Sequence, residues 1–319
     1  MVVTIINIII LIIGFIILIK GADFFVDGAS GIAENFKVSK MLIGLTIVSF
    51  GTSAPELAVS IKSLLSKSSD LTLGNVIGSN ILNILLILGL SSMIHSLTVK
   101  NNTVKKELPI TLLITTLFAV LLSDKLFDTN AVNTFTRSDG IVVLLFFLVF
   151  IYYLISMMRN KTNNEEKDPI PLIKAIVLTI GGIIAVIFGS NAVVDSVSAI
   201  AKILGVSQRM IALTIVALGT SLPELVTSIV ATKRCEYDIA IGNVVGSNIF
   251  NIGIVVGLPV SIFGGINGFG INYIDLAVMI LASFLLFIFS YNDYKLTKKE
   301  GFMFLLIFIA YYSYVILTR

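Results

Sequence analysis

The sequence predicts an all-α integral membrane protein, with ten transmembrane helices arranged as two inverted five-helix repeats whose core helices are broken. Three observations predict it. The 319-residue chain is 56% hydrophobic and only 13% charged, with a mean hydropathy of +1.02, whereas a soluble domain carries about 25% charged residues. Apolar stretches follow one another along the whole chain, each near the length of about 20 residues that a bilayer core of roughly 30 Å requires. One polar phrase, rich in glycine, hydroxyl groups and asparagine, occurs twice inside those stretches.

The spans are expected at about 2–19, 41–61, 71–94, 108–123, 140–158, 172–188, 209–231, 239–260, 273–290 and 301–317. Nothing basic precedes the first, Lys20 follows it and no small-residue cleavage site is convincing, so it reads as a retained helix rather than a leader. Of the 22 Lys and Arg, 15 fall after spans 1, 3, 5, 7 and 9, and seven on the other side. The positive-inside rule then makes this a multi-pass cell-membrane protein with both termini outside.

Residues 1–158 form the expected first repeat, with its motif core at 41–94. Residues 159–171 (RNKTNNEEKDPIP), the most polar stretch, form a cytoplasmic linker, and 172–319 form the second repeat with its core at 209–260. Five spans per half is an odd number, so the second half enters the bilayer upside down. Inverted repeats with interrupted helices are the architecture of secondary transporters, whose ion sites lie near the midplane.

The duplicated phrase reads Gly51-Thr52-Ser53-Ala54-Pro55-Glu56 with Gly74-Asn75-Val76-Ile77-Gly78-Ser79-Asn80-Ile81-Leu82-Asn83. It returns as Gly219-Thr220-Ser221-Leu222-Pro223-Glu224 with Gly242-Asn243-Val244-Val245-Gly246-Ser247-Asn248-Ile249-Phe250-Asn251. The offset is 168 throughout (219 − 51, 224 − 56, 242 − 74, 251 − 83). Weaker identity precedes it: Gly21, Val26, Asp27, Ser30, Ile32, Ala33, Val38 and Ser39 recur as Gly189, Val194, Asp195, Ser198, Ile200, Ala201, Val206 and Ser207.

Pro55 and Pro223 have no amide hydrogen, and Gly51 and Gly219 are conformationally permissive, so the second and seventh spans should break there and free backbone carbonyls. Those carbonyls, the hydroxyls of Thr52, Ser53, Thr220 and Ser221 and the carboxylates of Glu56 and Glu224 are hard oxygen ligands of the kind Ca2+ and Na+ take. At about 3.6 residues per turn, Asn75, Ser79 and Asn83 share one helix face, as do Asn243, Ser247 and Asn251. Gly74, Gly78, Gly242 and Gly246 are expected to let helices approach closely.

Glu56 and Glu224 are the acidic residues expected deep inside spans, with Asp70, Asp238 and Asp275 at span ends. No Lys or Arg is expected at their depth, so the counter-charge must come from solution. Two carboxylates match one Ca2+. The alternative for Asn83 and Asn251 is interhelical hydrogen bonding, and Asn75, Asn80, Asn243 and Asn248 stay open between packing and support of the ligands. Asp27 and Asp195 are expected at helix ends or in loops, and Tyr152, Tyr153, Tyr311 and Tyr312 at lipid-facing or interfacial positions.

The paired segments GTS-x-PE and GN-x-x-GSNI-x-N resemble the two alpha-repeats of the calcium/cation antiporter superfamily, particularly its prokaryotic sodium/calcium exchanger branch. The resemblance covers about 21–90 and 189–258. It implies alternating access around Glu56, Asn83, Glu224 and Asn251, with Ser79, Ser247, Thr52 and Thr220 assisting, and the glutamates binding Ca2+ in competition with Na+. It also implies that the first and sixth spans slide as a bundle, Gly21 to Ser39 and its repeat serving as linkers. One position departs: relatives of this branch carry aspartate where Asn251 stands. That removes a protonation site and leaves the coupling ion open between Na+ and H+.

A passive cation channel is the competing reading, although near-symmetry within one chain favours a site inside the protomer. No enzymatic activity and no cofactor are expected, since no Walker-type GxxxxGKS/T run or nucleophile–base pair occurs and the driving energy must come from gradients. The single Cys235 and a net charge of +3 add no redox chemistry and no nucleic-acid signature. The expected partners are Ca2+, Na+ or H+ and the lipid bilayer, and no protein partner is inferred.

Overall fold

Two helices are much longer than a bilayer core requires. In the computed structural model, which describes residues 2–66, 69–159, 170–205, 217–267 and 272–318, α1 runs Val2–Phe36 (35 residues) and its counterpart α8 runs Leu172–Ile203 (32 residues). At about 1.5 Å per residue each approaches 50 Å, so both must tilt or project. This corrects the expected ends at 19 and 188: Gly21 to Phe36 is continuous helix, not a linker, and Asp27 and Asp195 lie within helices.

A glycine seam explains how α1 and α8 pair. A Cβ on Gly14 would sit 3.2 Å from Ala192, one on Gly21 would sit 2.7 Å from Ala185, and one on Gly28 would sit 2.5 Å from Thr179. From the other side, Gly182 faces Phe25 and Gly189 faces Leu18 at similar range. Numbers rise along one helix as they fall along the other, so the pair is antiparallel and in backbone contact. Without a hydrophobic drive between helices in lipid, such close van der Waals contact is what holds them.

The second span bends. Its first part, α2, runs Lys40–Thr52 with a π-helical stretch over Gly44–Val48, and α3 continues over Ala54–Leu65 at 46° to it. The third span, α4, covers Ser69–Leu82, widens to π-helix over Asn83–Leu88 and closes over Gly89–Ile94. A further π-helical turn, Thr103–Glu107, leads into α5, Leu108–Leu121, and a short α6, Asp124–Phe127, precedes α7, Arg137–Arg159.

In the second half, α9 (Ala217–Thr220) and α10 (Leu222–Lys233) repeat the α2–α3 break. Helix α11 covers Tyr237–Phe250, a π-helical Asn251–Gly257 and Leu258–Phe263, followed by α12, Tyr273–Asp293, and α13, Lys298–Thr318. Among the described residues seven helices are long and apolar enough to cross a membrane, eight with the bent pair. Most of the 159–171 linker and the start of the expected seventh span, with Val206 and Ser207, lie outside the described residues.

The chain is not purely helical. Strand β1 (Leu97–Thr98) pairs antiparallel with β4 (Lys295–Leu296), and β2 (Thr134–Phe135) with β3 (Ile266–Asn267). Each ladder joins a loop of one half to a loop of the other. The α10–α11 corner is also clamped: Arg234 bonds Asp27 and, at 2.9 Å, Asp23 on α1; Lys40 bonds Glu236 at 2.6 Å; and Lys100 pairs with Asp238.

Candidate functional site

The site is built where the two bent helices meet the two π-widened ones. Pro55 and Pro223 sit in the first turns of α3 and α10, where a missing N–H costs nothing. The hinge residues Ser53 (φ −82°, ψ 5°) and Ser221 (φ −90°, ψ 5°) take up the bend. Glu56 and Glu224 follow within that first turn, where the positive end of the helix dipole favours an anion. Asn83 and Asn251 each open a π-helical stretch, a local widening that recurs at functional sites.

The hydrogen bonds cross between the halves in matched pairs. Ser53 Oγ donates to Glu224 Oε1 at 3.0 Å and lies 3.0 Å from Ser247 Oγ, while Ser221 Oγ lies 3.3 Å from Ser79 Oγ. Thr52 Oγ1 reaches Asn243 Oδ1 at 3.0 Å, and Thr220 Oγ1 reaches Asn75 Oδ1 at 3.3 Å. Glu56 lies near the Thr220 and Ser221 hydroxyls without a well-formed hydrogen bond from either, and near Glu224. Eight of the ten residues read from the sequence, Thr52, Ser53, Glu56, Ser79, Thr220, Ser221, Glu224 and Ser247, are brought together by these contacts, and the other two, Asn83 and Asn251, bond the facing half through Asn248 and Asn80.

Five buried oxygens in that cluster receive no hydrogen bond: Glu56 Oε1 and Oε2, Glu224 Oε2, Asn83 Oδ1 and Asn251 Oδ1. Each such orphan costs about 1–3 kcal/mol, more when charged, and together they would rival the whole stability of a domain. No salt bridge among the described residues involves either glutamate, and no group of three acidic, His or Cys side chains converges among them. Two carboxylates and a set of neutral oxygens are donors of the kind a hard cation takes.

Some expectations need correction. Gly242 and Gly246 do pack closely, with a Cβ on Gly242 meeting Gly44 Cα at 3.0 Å and one on Gly246 meeting Ser49 Oγ at 2.6 Å. At Gly74 and Gly78 a Cβ would meet nothing within 4 Å. Glu56 and Glu224 are not alone in being buried: Glu107 and Asp275, again 168 apart (275 − 107), are buried at the starts of α5 and α12. Tyr153 donates to Glu107 and Tyr311 donates to Asp275 at 3.0 Å, so these two tyrosines are partners of buried carboxylates rather than interfacial anchors. The constant offset could have exposed this second pair, which a search limited to span interiors passes over.

A family model described as sodium/calcium exchanger protein matches residues 6–156 and 174–317. The chain is 30% identical to the sodium/calcium exchanger MaX1 of Methanosarcina acetivorans, over 96% of this chain and 97% of that one. It is 36% identical to the inner membrane protein YrbG of Escherichia coli, over 76% of each. Among solved structures, the sodium-calcium exchanger NCX_Mj soaked without Na+ and Ca2+ matches with a TM-score of 0.84 at 34% identity, covering 98% of this chain and 99% of that one. A form of NCX_Mj soaked with Na+ and Sr2+ matches equally well, TM-score 0.84. With both halves matched and the polar phrase in place in each, the chain belongs to the sodium/calcium exchanger protein family.

Proposed function

We propose that this chain is a secondary antiporter that extrudes Ca2+ in exchange for Na+, with the cation held between Glu56 and Glu224. The observation that carries the reading is the set of five undonated oxygens from Glu56, Asn83, Glu224 and Asn251. Two carboxylates neutralise one divalent ion, and the remaining Asn and hydroxyl oxygens approach the six to eight ligands that Ca2+ usually takes. The same pocket, stripped of Ca2+, offers separate oxygen groups to monovalent ions, so binding of the two cargoes is mutually exclusive.

The reading includes ten transmembrane helices as two inverted five-helix repeats, 1–158 and 172–319, joined by the 159–171 linker, with both termini outside. The antiparallel α1–α8 seam supports it, since the matching helices of two like-oriented repeats would run parallel. The family model and the likeness to the sodium/calcium exchanger MaX1 and to NCX_Mj soaked with Na+ and Sr2+ support the choice of cargo. One observation favours a second reading, H+/Ca2+ exchange through the same glutamates: Asn251 stands where Na+-coupled relatives of the resembled branch carry aspartate.

Reconstituted flux decides between them. In liposomes, uptake of radiolabelled calcium is expected to follow an opposing Na+ gradient and to be absent under a pH gradient alone. Uptake driven by the pH gradient without Na+ selects the proton reading, and movement under neither gradient removes Ca2+ as cargo. Single-channel currents in a planar bilayer would instead point to the passive pathway.

A further inference from the structure

Asn80 and Asn248 point no bare oxygen into the cavity, and their hydrogen bonds explain why Asn83 and Asn251 do. Asn80 Nδ2 donates to the main-chain carbonyl of Asn248 at 3.4 Å, and Asn248 Nδ2 donates to that of Asn80 at 3.3 Å. A carbonyl can only accept, so the nitrogen end of each carboxamide is fixed there and its oxygen must lie at the other end. Asn80 Oδ1 then meets Asn251, and Asn248 Oδ1 meets Asn83. Both oxygens demand an N–H, and receive one from Asn251 Nδ2 at 3.0 Å and Asn83 Nδ2 at 2.9 Å. What remains of Asn251 and Asn83 for the cavity is oxygen. Both crossing residues are buried to within 1% exposure, so water does not offer a substitute partner.

We propose that Asn80 and Asn248 are positioning residues that act crosswise: each holds the carboxamide of the other half's asparagine with its oxygen toward the cation. The inference rests on the cation-site reading above. A carboxamide turned by half a rotation fits the same space but presents an NH2 group, so without the tie a ligand becomes, for part of the time, a group that repels the ion. Two main-chain carbonyls thereby determine the polarity of two ligands, and neither half can orient its own asparagine alone.

A double-mutant cycle on the full-length protein tests this, reading the half-saturating Ca2+ concentration for flux in liposomes and Ca2+ affinity by calorimetry on the purified carrier. Asn80→Ala is expected to raise half-saturation about tenfold. Its effect should largely vanish in an Asn251→Ala background and persist in an Asn83→Ala background, and Asn248→Ala should show the mirror pattern. A residue that merely packed would lower the number of active carriers without this crossed coupling. If Asn80→Ala gives no folded carrier, Asn248→Ala makes the same test through Asn83. Unchanged half-saturation, or equal coupling to Asn83 and Asn251, overturns the proposal. Glu56→Gln serves as the control: wild-type Ca2+ affinity in that variant would remove the site reading itself, whereas lost affinity there beside uncrossed coupling removes the positioning role alone.

Discussion

Helices α4 and α11 carry the same polar phrase and live in different surroundings. Along α11, 94% of the apolar window is buried, against 72% for α4. Gly242 and Gly246 are pressed against Gly44 and Ser49, while Gly74 and Gly78 meet nothing within 4 Å. Asn243 is fully buried and Asn75 is partly exposed. Near-identical sequence in unlike environments means that the two halves pack differently around the same phrase. A carrier that binds from alternate sides needs this: two arrangements close in energy, exchanged between the halves.

The comparison can be broken at four points, in order of decreasing effect. Glu56→Gln and Glu224→Gln should each reduce calcium flux by about 100-fold or more, since breaking a buried charged pairing costs about 3–5 kcal/mol. Flux surviving in one of them would show that the halves are unequal at the ligands and not merely around them. Packing is the second point. Gly242→Ala should lower the detergent melting temperature, overpacking costing about 1–3 kcal/mol, whereas Gly74→Ala should leave it unchanged; equal losses would erase the difference.

Accessibility is the third. In a Cys235→Ser background, Asn75→Cys should react with a membrane-impermeant thiol reagent about tenfold faster than Asn243→Cys, for a difference of only about 1.4 kcal/mol in opening. Equal rates would mean that both helices are equally sealed in solution. The smallest effect belongs to the clamp at the α10–α11 corner. Arg234 is partly exposed in its pairs with Asp23 and Asp27, and such pairs contribute about 0.2–1 kcal/mol, so Arg234→Gln should alter flux by no more than about fivefold.

Much of this was legible in the sequence because membrane burial is costly for polar groups and leaves a strong signal. The repeat offset, the Pro55 and Pro223 breaks and the cluster of hydroxyls around two glutamates were all readable from spacing. Less legible was anything that depends on which atom meets which. Asn80 and Asn248 differ from Asn83 and Asn251 in no property of composition; only the crossed hydrogen bonds assign one pair to the cavity and the other to its support. The span ends expected at 19 and 188 fall short of the helix ends because Lys20 and the charges after it look like a loop, yet on a helix too long for the bilayer they lie along one continuous rod. The burial of Glu107 and Asp275 is not legible in the sequence because it depends on a tyrosine of a later spanning helix, about 40 residues away (153 − 107 and 311 − 275).

The glycine seam between α1 and α8 has an electrical side as well. A helix of such length carries a macrodipole equivalent to about half a charge at each end, and a single helix displaced through a charged membrane would do work against the field. Running antiparallel and in backbone contact, the two rods largely cancel each other's dipole. Any joint shift of the two backbones would therefore respond little to voltage, leaving the membrane potential to act chiefly on side-chain charges and on transported ions.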